Sequence, residues 1–343
     1  MQMRRKEKNG TGRQKLLFVY VVLSSFVEGD LKILRKAYDV TVYHYDNRRN
    51  SLCSVARQFF WLLFNLWRFD KVYVWFGDYH SFFPVVFARL FGKRVFLVNG
   101  GYDVCRIRKL KYGSFSNPVR GWIARYAMRH CTLNLSVSEY VRRKVRVITR
   151  KTNSVLLYNG VGISYAPVSP EEKRDVVLTV GLIDGRRRFE VKGIDRFLAV
   201  AEELPRYKFV IVGMDDGFRR ELGALPGNVE VHGPVEQERL APFYKEARVY
   251  CQLSRTDVFG MSVVEGMLYN CVPVVTNVGG LPEVVGDTGV VVPENRLDTL
   301  SGAICRAMER PLSDRCRQRA EKNFLLSVRE RKLLNILRAY ERI

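Results

Sequence analysis

Asp257 and Glu265 are two carboxylates eight residues apart, with a glycine, Gly260, between them. A short helix is predicted from about residue 262 to 269, so Gly260 comes just before its N-terminus. A helix N-terminus carries unpaired N–H groups and a partial positive charge, which suits a diphosphate, and glycine lets a ligand approach the backbone closely. Glu265 can accept hydrogen bonds from vicinal hydroxyls such as those of ribose. The pattern can therefore bind a nucleotide-activated compound, although spacing alone favours an ordinary βαβ unit with two surface carboxylates.

The longer segment around these carboxylates, residues 254–285, narrows the interpretation. It resembles the nucleotide-sugar-binding segment of the retaining GT-B glycosyltransferases of the GT4 (glycosyl transferases group 1) family, with its pattern E-G-F-G-x-x-x-x-E, then G-x-P-V-V and G-G-x-x-E. The matching positions are Phe259-Gly260, Glu265, Pro273-Val274-Val275, Gly279-Gly280 and Glu283. Asp257 replaces the first Glu, Val258 a common Gly, and Cys271 the Gly of the second string. Because Asp is one methylene shorter than Glu, we expect Asp257 either to reach through a shifted loop or to mark a different donor preference.

A lysine and several arginines near residue 190 are the predicted partners of this segment. Gly181 follows a predicted strand where the family has Gly-Arg and then Glu-Lys-Gly, but Leu182 replaces the arginine. The resemblance implies that Lys192 contacts the donor diphosphate and that Arg186 supplies the missing charge, because positive groups stabilise a departing nucleoside diphosphate. For the two arginines that follow Arg186, we favour an exposed loop.

The resemblance implies a complete donor site in the second half of the chain. Met261 and Ser262 would bind the diphosphate through their amides, Glu265 the ribose, and Asp257 the hydroxyls of the donor sugar. Val235 lies in the loop expected to cradle the nucleobase. The implied donor-binding residues are Gly181, Arg186, Lys192, Gly213, Val235, Phe259, Gly260, Met261, Ser262 and Glu265. No metal site is predicted, because Asp215-Asp216 lacks the D-x-D spacing.

Asp103 is the candidate on the acceptor side. It follows a predicted strand, Arg94 to Asn99, and ligands gather at the carboxyl ends of parallel strands. We therefore predict a catalytic set of Asp103, Lys192, Asp257 and Glu265. A turn stabilised by glycine and an aspartate side chain explains Asp103 equally well, and the family's common His is absent.

The elements that position these residues alternate between strand and helix, which predicts parallel sheets covered on both faces. A chain of 343 residues is comfortable for two domains. The resemblance covers about residues 130–295 and implies a GT-B fold of two Rossmann-like, doubly wound domains facing a cleft. The expected parts are a basic tail (1–15), an acceptor-binding domain (16–166), a nucleotide-sugar-binding domain (174–316) and a C-terminal helix that crosses back to the first domain (317–343).

The positive charge is concentrated in the first half. Residues 1–165 contain 30 Lys and Arg against 9 Asp and Glu, whereas residues 166–343 contain 27 against 26. We expect an anionic membrane surface to meet the first domain. The strongly apolar helix predicted from Val55 to Trp67 is interpreted as a core helix packed on a sheet, in preference to one that dips into a membrane.

The cysteines and the N-terminus indicate the compartment. Seven cysteines are scattered without a C-x-x-C pair, which fits reduced thiols of a cytosolic protein. The first fifteen residues are basic and lack the apolar core of a secretory signal, and no apolar run is long enough for a membrane span. We expect a cytoplasmic protein held peripherally at the inner face of the plasma membrane.

The resemblance implies a retaining, metal-independent hexosyltransferase. It would use a nucleotide sugar such as a UDP- or GDP-sugar, with no other cofactor, and glycosylate a hydroxyl of a glycan or lipid-linked precursor. In the route commonly proposed for the family, the leaving phosphate helps to deprotonate the acceptor, which explains the lack of the carboxylate pair of a retaining glycosidase. One alternative is a non-enzymatic protein that binds nucleic acid or another polyanion, but no recognised RNA-binding or helix-turn-helix motif supports it. Another is a different GT-B chemistry, such as a phosphorylase or an epimerase.

Overall fold

The computed structural model describes residues 13–46, 52–107, 112–151, 153–166, 168–293, 296–311 and 313–341. The chain divides into two compact units. The first unit contains residues 1–136, 142–156 and 332–343, and the second contains residues 137–141 and 157–331. Most of the predicted basic tail, up to residue 12, lies outside the described residues.

The first unit is built on a parallel sheet with the strand order β2-β1-β3-β4-β5-β6. Its strands are buried apolar runs, which is typical of parallel sheets covered by helices. The elements are β1 (Lys15–Tyr20), α1 (Ser25–Ala37), β2 (Asp39–His44), α2 (Leu52–Asn65), β3 (Lys71–Trp75), α3 (Phe82–Leu90), β4 (Arg94–Asn99), α4 (Pro118–His130), β5 (Leu133–Ser136), α5 (Glu139–Thr149) and β6 (Ser154–Leu156).

The second unit is built on another parallel sheet, with the order β12-β11-β10-β7-β8-β9. Buried apolar clusters include side chains from both of its faces, such as Tyr250 in one cluster and Phe209 in the other. The elements are β7 (Arg174–Ile183), α6 (Arg186–Lys192), α7 (Ile194–Glu203), β8 (Lys208–Met214), α8 (Asp216–Glu221), β9 (Val229–His232), α9 (Ala241–Glu246), β10 (Ala247–Gln252), α10 (Met261–Leu268), β11 (Val272–Thr276), α11 (Leu281–Val285), β12 (Val290–Val292), α12 (Leu297–Glu309), α13 (Arg315–Phe324) and α14 (Leu326–Ala339), whose residues from 332 onward belong to the first unit. The predicted α/β class with two parallel sheets flanked by helices is confirmed.

Two local predictions in the second unit are wrong. The arginines after Arg186 are not in a loop but in α6, whose buried residues are Phe189 and Val191. The C-terminal helix expected over residues 317–343 is not one continuous helix, because Leu325 is extended and its neighbours exchange backbone hydrogen bonds with Val161. That exchange ends α13 and starts α14.

The apolar helix of the first unit also differs from its prediction. A core helix would bury its apolar face, but α2 buries only Ser54, Gln58 and Leu62 and leaves Phe60 and Phe64 exposed. The interpretation as a core helix is therefore wrong for that face. A short 3-10 turn, Leu66–Arg68, follows it. Among the described residues, no helix combines the length and the apolar character that a membrane crossing requires.

Candidate functional site

The carboxyl ends of β7, β8 and β10 bring together most of the predicted residues of the second unit. These strands are neighbours in the sheet, although β10 follows β7 only after about seventy residues of chain. Helix α6 begins shortly after β7, and α10 begins shortly after β10. Because all three strands are parallel, the loops that lead into these helices lie at the same edge of the sheet.

An ion pair connects the two predicted motifs at this edge. The Lys192 Nζ atom lies 3.1 Å from Oδ2 of Asp257, and the side chains are 35% and 13% exposed. The same oxygen accepts a hydrogen bond from Gln252 Nε2 at 2.7 Å, while Oδ1 accepts one from the Phe259 amide at 3.1 Å. Gly181 lies beside the lysine, since a β-carbon built on it would be 3.9 Å from Lys192 Cε. The pair is therefore both solvent-accessible and held in position.

The start of α10 lies next in the chain. Gly260 has φ +87° and ψ +66°, the left-handed region, and a β-carbon on it would be 2.6 Å from Leu281 Cδ2. Met261 and Ser262 follow as the first residues of α10, both half-buried. The first N–H groups of a helix have no carbonyl partner within the helix, and they carry partial positive charge. These amides are suited to an anion.

Two glycines support the loop that holds Asp257. The Gly280 amide donates to the Asp257 carbonyl at 3.1 Å. A β-carbon on Gly279 would collide with that same carbonyl, and one on Gly280 would collide with the carbonyl of Val258. The G-G string therefore permits close packing of two loops, which explains its place beside the carboxylate.

Glu265 lies at a separate cavity of about 310 Å³ in the same unit. Its carboxylate is 6% exposed and accepts hydrogen bonds from Gln237 Nε2 at 2.9 Å and Tyr244 OH at 2.8 Å. Burial raises the pKa of Glu265, and the two hydrogen bonds act in the opposite direction. The cavity is lined by Gly162, Ile163, Ser164, Gln237, Glu238, Leu240, Ala241, Tyr244, Glu265 and Tyr269. Gln237 donates from a 3-10 turn that also lines the cavity. A polar ligand in the cavity could therefore compete with this amide for the hydrogen bond to Glu265.

The remaining donor candidates differ in position. Arg186 is on the exposed side of α6 and pairs with Glu190 at 2.9 Å, with its side chain 72% exposed. Phe259 is 2% exposed and belongs to the core, where its ring lies 5.5 Å from that of Phe324. Gly213 lies in β8 with no room for a side chain, and Val235 is 38% exposed after β9. The structure thus brings Lys192, Asp257 and the α10 N-terminus together.

Asp103 of the first unit is sealed from solvent. It has no exposed surface, and its oxygens accept hydrogen bonds from Gly77 N (3.1 Å), Asn99 Nδ2 (3.1 Å) and Gly101 N (2.8 Å). Burial raises the pKa of Asp103 to about 6, even though these hydrogen bonds lower it. In this arrangement the carboxylate fixes the loop after β4, as the turn alternative expects.

Several contacts at these sites carried little signal in the sequence. Gln252 and Gln237 follow no recognised spacing, whereas Tyr244 belongs to a helix pattern. Glu283 of the last motif accepts hydrogen bonds from the Glu139 amide and from Tyr158 OH at 2.7 Å, all within the second unit.

Among the described residues, no group of three or more His, Cys, Asp and Glu side chains is placed to hold a metal ion.

Known proteins resemble this chain in sequence and in fold. Residues 166–323 match the family described as Glycosyl transferases group 1. The O-antigen chain mannosyltransferase B of Escherichia coli is 28% identical over 208 residues, 52% of this chain and 51% of that protein, so the chain spans about half of this relative's length.

Two solved structures share the fold at low identity. Sucrose-phosphate synthase from Thermosynechococcus elongatus has a TM-score of 0.80 at 15% identity, covering 96% of this chain and 99% of that one. HepE of Anabaena, solved in complex with UDP and glucose, has a TM-score of 0.74 at 14% identity, covering 94% of this chain and 99% of that one. The match to the glycosyl transferases group 1 family therefore lies in residues 166–323, which belong to the second unit.

Proposed function

We propose that this protein is a retaining glycosyltransferase that moves a hexose from a nucleotide sugar to an acceptor hydroxyl. The observation that carries the proposal is the Lys192–Asp257 pair, which lies next to the N-terminus of α10 at the sheet edge where ligands of parallel α/β sheets bind. The match of residues 166–323 to the glycosyl transferases group 1 family supports the reaction class. The complex of UDP and glucose with HepE supports a UDP-sugar as the first donor to test.

The donor diphosphate would bind between Lys192 and the first amides of α10. On binding, the ammonium of Lys192 exchanges the carboxylate of Asp257 for phosphate oxygens, since its side chain is already partly exposed. The released Asp257 oxygen then accepts hydrogen bonds from hydroxyls of the donor sugar. One cation and the partial charges of the helix thus stabilise the negative charge that develops on the leaving group.

The transfer itself exchanges one C–O bond for another. The bond between the sugar C1 and the phosphate oxygen breaks, and the acceptor oxygen bonds to C1 on the same face, which retains the configuration. The acceptor proton passes to an oxygen of the leaving phosphate. This step requires no separate carboxylate base, because the leaving phosphate takes the proton, and Lys192 and the α10 amides would stabilise part of the negative charge on the diphosphate without a metal ion.

Glu265 would bind the ribose of the donor. Its carboxylate already holds two donors, Tyr244 OH and Gln237 Nε2. A ribose diol in the adjoining cavity would replace the amide of Gln237, while Tyr244 continues to orient the carboxylate. Hydrogen bonds to a charged acceptor are about twice as strong as neutral ones, which makes this position suitable for recognising both hydroxyls.

The acceptor is proposed to be an anionic glycan or lipid-linked precursor at a membrane surface. Between residues 47 and 138 the first unit contains fifteen Lys and Arg but only three Asp, and Asp103 is one of these and is buried. The name of the E. coli relative, which refers to an O-antigen chain, supports a glycan acceptor. The protein would act in the cytoplasm at the inner face of the membrane.

The decisive experiment is incubation with UDP-, GDP- and ADP-sugars and a lipid extract, with released nucleotide and donor binding both measured. We expect release with at least one donor and binding of the corresponding nucleotide. Absence of both with every donor would overturn the proposal. The charge of the first unit also favours a second candidate, a polyanion-binding protein without turnover, and salt-dependent binding of RNA or duplex DNA with no donor binding would support it.

A further inference from the structure

Helix α2 exposes a row of apolar side chains, whereas two of its three buried residues are polar. Its buried residues are Ser54, Gln58 and Leu62, and the Gln58 amide donates to a buried main-chain carbonyl at 2.9 Å. On the other side, Phe60 is 56% exposed and Phe64 66% exposed. A helix packed on a sheet normally has the reverse pattern. The described residues therefore leave an apolar helix face exposed to solvent.

The next two helices extend this face. α2 packs on α3 and α3 on α4, with the rings of Phe59 and Phe83 5.3 Å apart and those of Phe82 and Trp122 5.7 Å apart. We call α2, the turn Leu66–Arg68, α3 and α4 the α2–α4 layer. Among the described residues, eight of the fourteen exposed large hydrophobic side chains lie in this layer, including every exposed Phe and Trp. Such a concentration marks an interaction surface.

The charges of the α2–α4 layer identify the kind of partner. The layer contains no Asp or Glu, and its basic residues other than histidine are Arg57, Arg68, Arg89, Arg125, Arg129 and Arg120, the last of which pairs with Asp78 outside the layer. In a symmetric contact with a second copy, this basic face would meet itself, and the like charges would repel. An anionic lipid surface supplies the opposite charge over a wide area.

We infer that the α2–α4 layer binds an anionic lipid bilayer, with Phe60, Phe64 and Trp67 inserted at the boundary between headgroups and acyl chains. Helices that lie in this boundary combine Phe, Trp and Leu on one face with arginine beside it, and tryptophan is enriched at this depth. Trp67 is 58% exposed and Arg68 follows it directly. The surface belongs to the first unit alone, so this inference deepens the proposed membrane location but can be tested without any donor.

The test is co-sedimentation of the full chain with vesicles of phosphatidylcholine and with vesicles of phosphatidylcholine and phosphatidylglycerol. We expect binding to the mixed vesicles only, weakened by added salt. The triple variant Phe60→Ser/Phe64→Ser/Trp67→Ser is expected to bind about tenfold or more weakly, because inserting even one aromatic side chain is worth that much. The control Val147→Ser removes a side chain that is 78% exposed on α5, outside the layer, and is expected to bind as the wild type.

Three outcomes would overturn the inference. These are no binding of the wild type to mixed vesicles, unchanged binding of the triple variant, or an equal loss in Val147→Ser. A lipid-free dimer that the triple variant dissociates, seen by sedimentation equilibrium, would instead assign the layer to a second copy. UDP binding measured on the same proteins distinguishes the two proposals, because its absence alongside intact vesicle binding would count against the donor site only.

Discussion

Each unit has a candidate carboxylate beyond the carboxyl end of a parallel strand, and the two are treated in opposite ways. In the second unit, Asp257 is partly exposed and holds Lys192, whose side chain is 35% exposed. In the first unit, Asp103 has no exposed surface, and three donors of its own loops occupy its oxygens. The same kind of position therefore carries an accessible ion pair beside one sheet, and beside the other a buried carboxylate that holds its loop in place through hydrogen bonds.

The contrast shows that exposure, not position alone, decides which group can exchange partners. An ion pair that water reaches contributes little stability, so Lys192 can leave Asp257 for a phosphate at small cost. A buried carboxylate whose oxygens already accept hydrogen bonds cannot turn to a ligand without leaving the buried N–H donors unsatisfied. We therefore expect substitutions in the second unit to change ligand binding and turnover, and substitutions of Asp103 to change stability.

The largest effect is expected for Lys192→Ala. If this ammonium stabilises the leaving diphosphate, its removal should lower kcat by about 10²–10³-fold, as for loss of one donor that stabilises a transition-state anion. The measurement is the rate of nucleotide release with the donor found in the panel. The free energy of unfolding should change little, because the pair is partly exposed.

A matched control is Arg188→Ala, which removes a nearby cation from the same helix. Arg188 pairs with Asp184 at 2.9 Å, and both side chains are well exposed. We expect a change in kcat of less than about twofold, as for an exposed pair of i,i+4 residues. A loss as large as that of Lys192→Ala would mean that the stability of α6, and not contact with phosphate, controls the rate.

Asp103→Ala is expected to destabilise the first unit by about 3 kcal/mol, because it leaves three buried donors unsatisfied. All four tryptophans, at positions 61, 67, 75 and 122, belong to this unit, so their fluorescence during urea unfolding reports on it alone. UDP binding to the second unit should be preserved. If the variant keeps its stability but loses turnover, Asp103 has a catalytic role that its burial conceals.

The same residue predicts a pH dependence. Because burial raises the pKa of Asp103 to about 6, the folded unit binds a proton between pH ~4 and 6 that the unfolded chain releases. Its contribution to stability is therefore fully present at the acid end of this range and is lost as pH rises through 6. The difference in stability between wild type and Asp103→Ala should accordingly be larger at pH ~4.5 than at pH 7, and a flat difference would contradict the assignment.

Much of the sheet architecture could be predicted because buried parallel strands are continuous apolar runs. Residues 94–99 were predicted as a strand and form β4. The orientation of α2 could not be predicted, since a nearly all-apolar sequence does not indicate which face packs inward. Gln58 can be buried there because its amide donates to the main-chain carbonyl of His80, a partner that is distant in the sequence.

The site was only partly predictable for a different reason. Lys192 and Asp257 are 65 residues apart, and their contact depends on the pairing of β7 with β10, which are not consecutive strands. The resemblance identified both residues, but it did not indicate that they pair or that Gln252 joins them. A local pattern cannot encode such a contact, because the order of strands in the sheet decides it.

Glu265→Gln is expected to weaken donor binding by about 10- to 100-fold, the value of a hydrogen bond to a charged acceptor. The amide is nearly isosteric, so Tyr244 and the cavity should keep their positions. The measurement compares UDP with 2′-deoxy-UDP by calorimetry, on wild type and variant. If Glu265 binds the ribose, the 2′-hydroxyl should matter much less in the variant, whereas an equal penalty in both proteins would place the ribose elsewhere.

Asp257→Glu should have the smallest effect, and it tests why this chain departs from the family pattern at this position. The shorter side chain holds Lys192 and Gln252 on one oxygen and the Phe259 amide on the other. One extra methylene would break one of these contacts, which is worth about 1 kcal/mol or roughly fivefold in rate. We expect that loss with the preferred donor and a changed ranking among UDP- and GDP-sugars. Asp195→Glu, which lengthens the partner of Arg255 in another ion pair of the unit, should leave the ranking unaltered. An unchanged rate and ranking for Asp257→Glu would mean that the length of this carboxylate does not set donor preference.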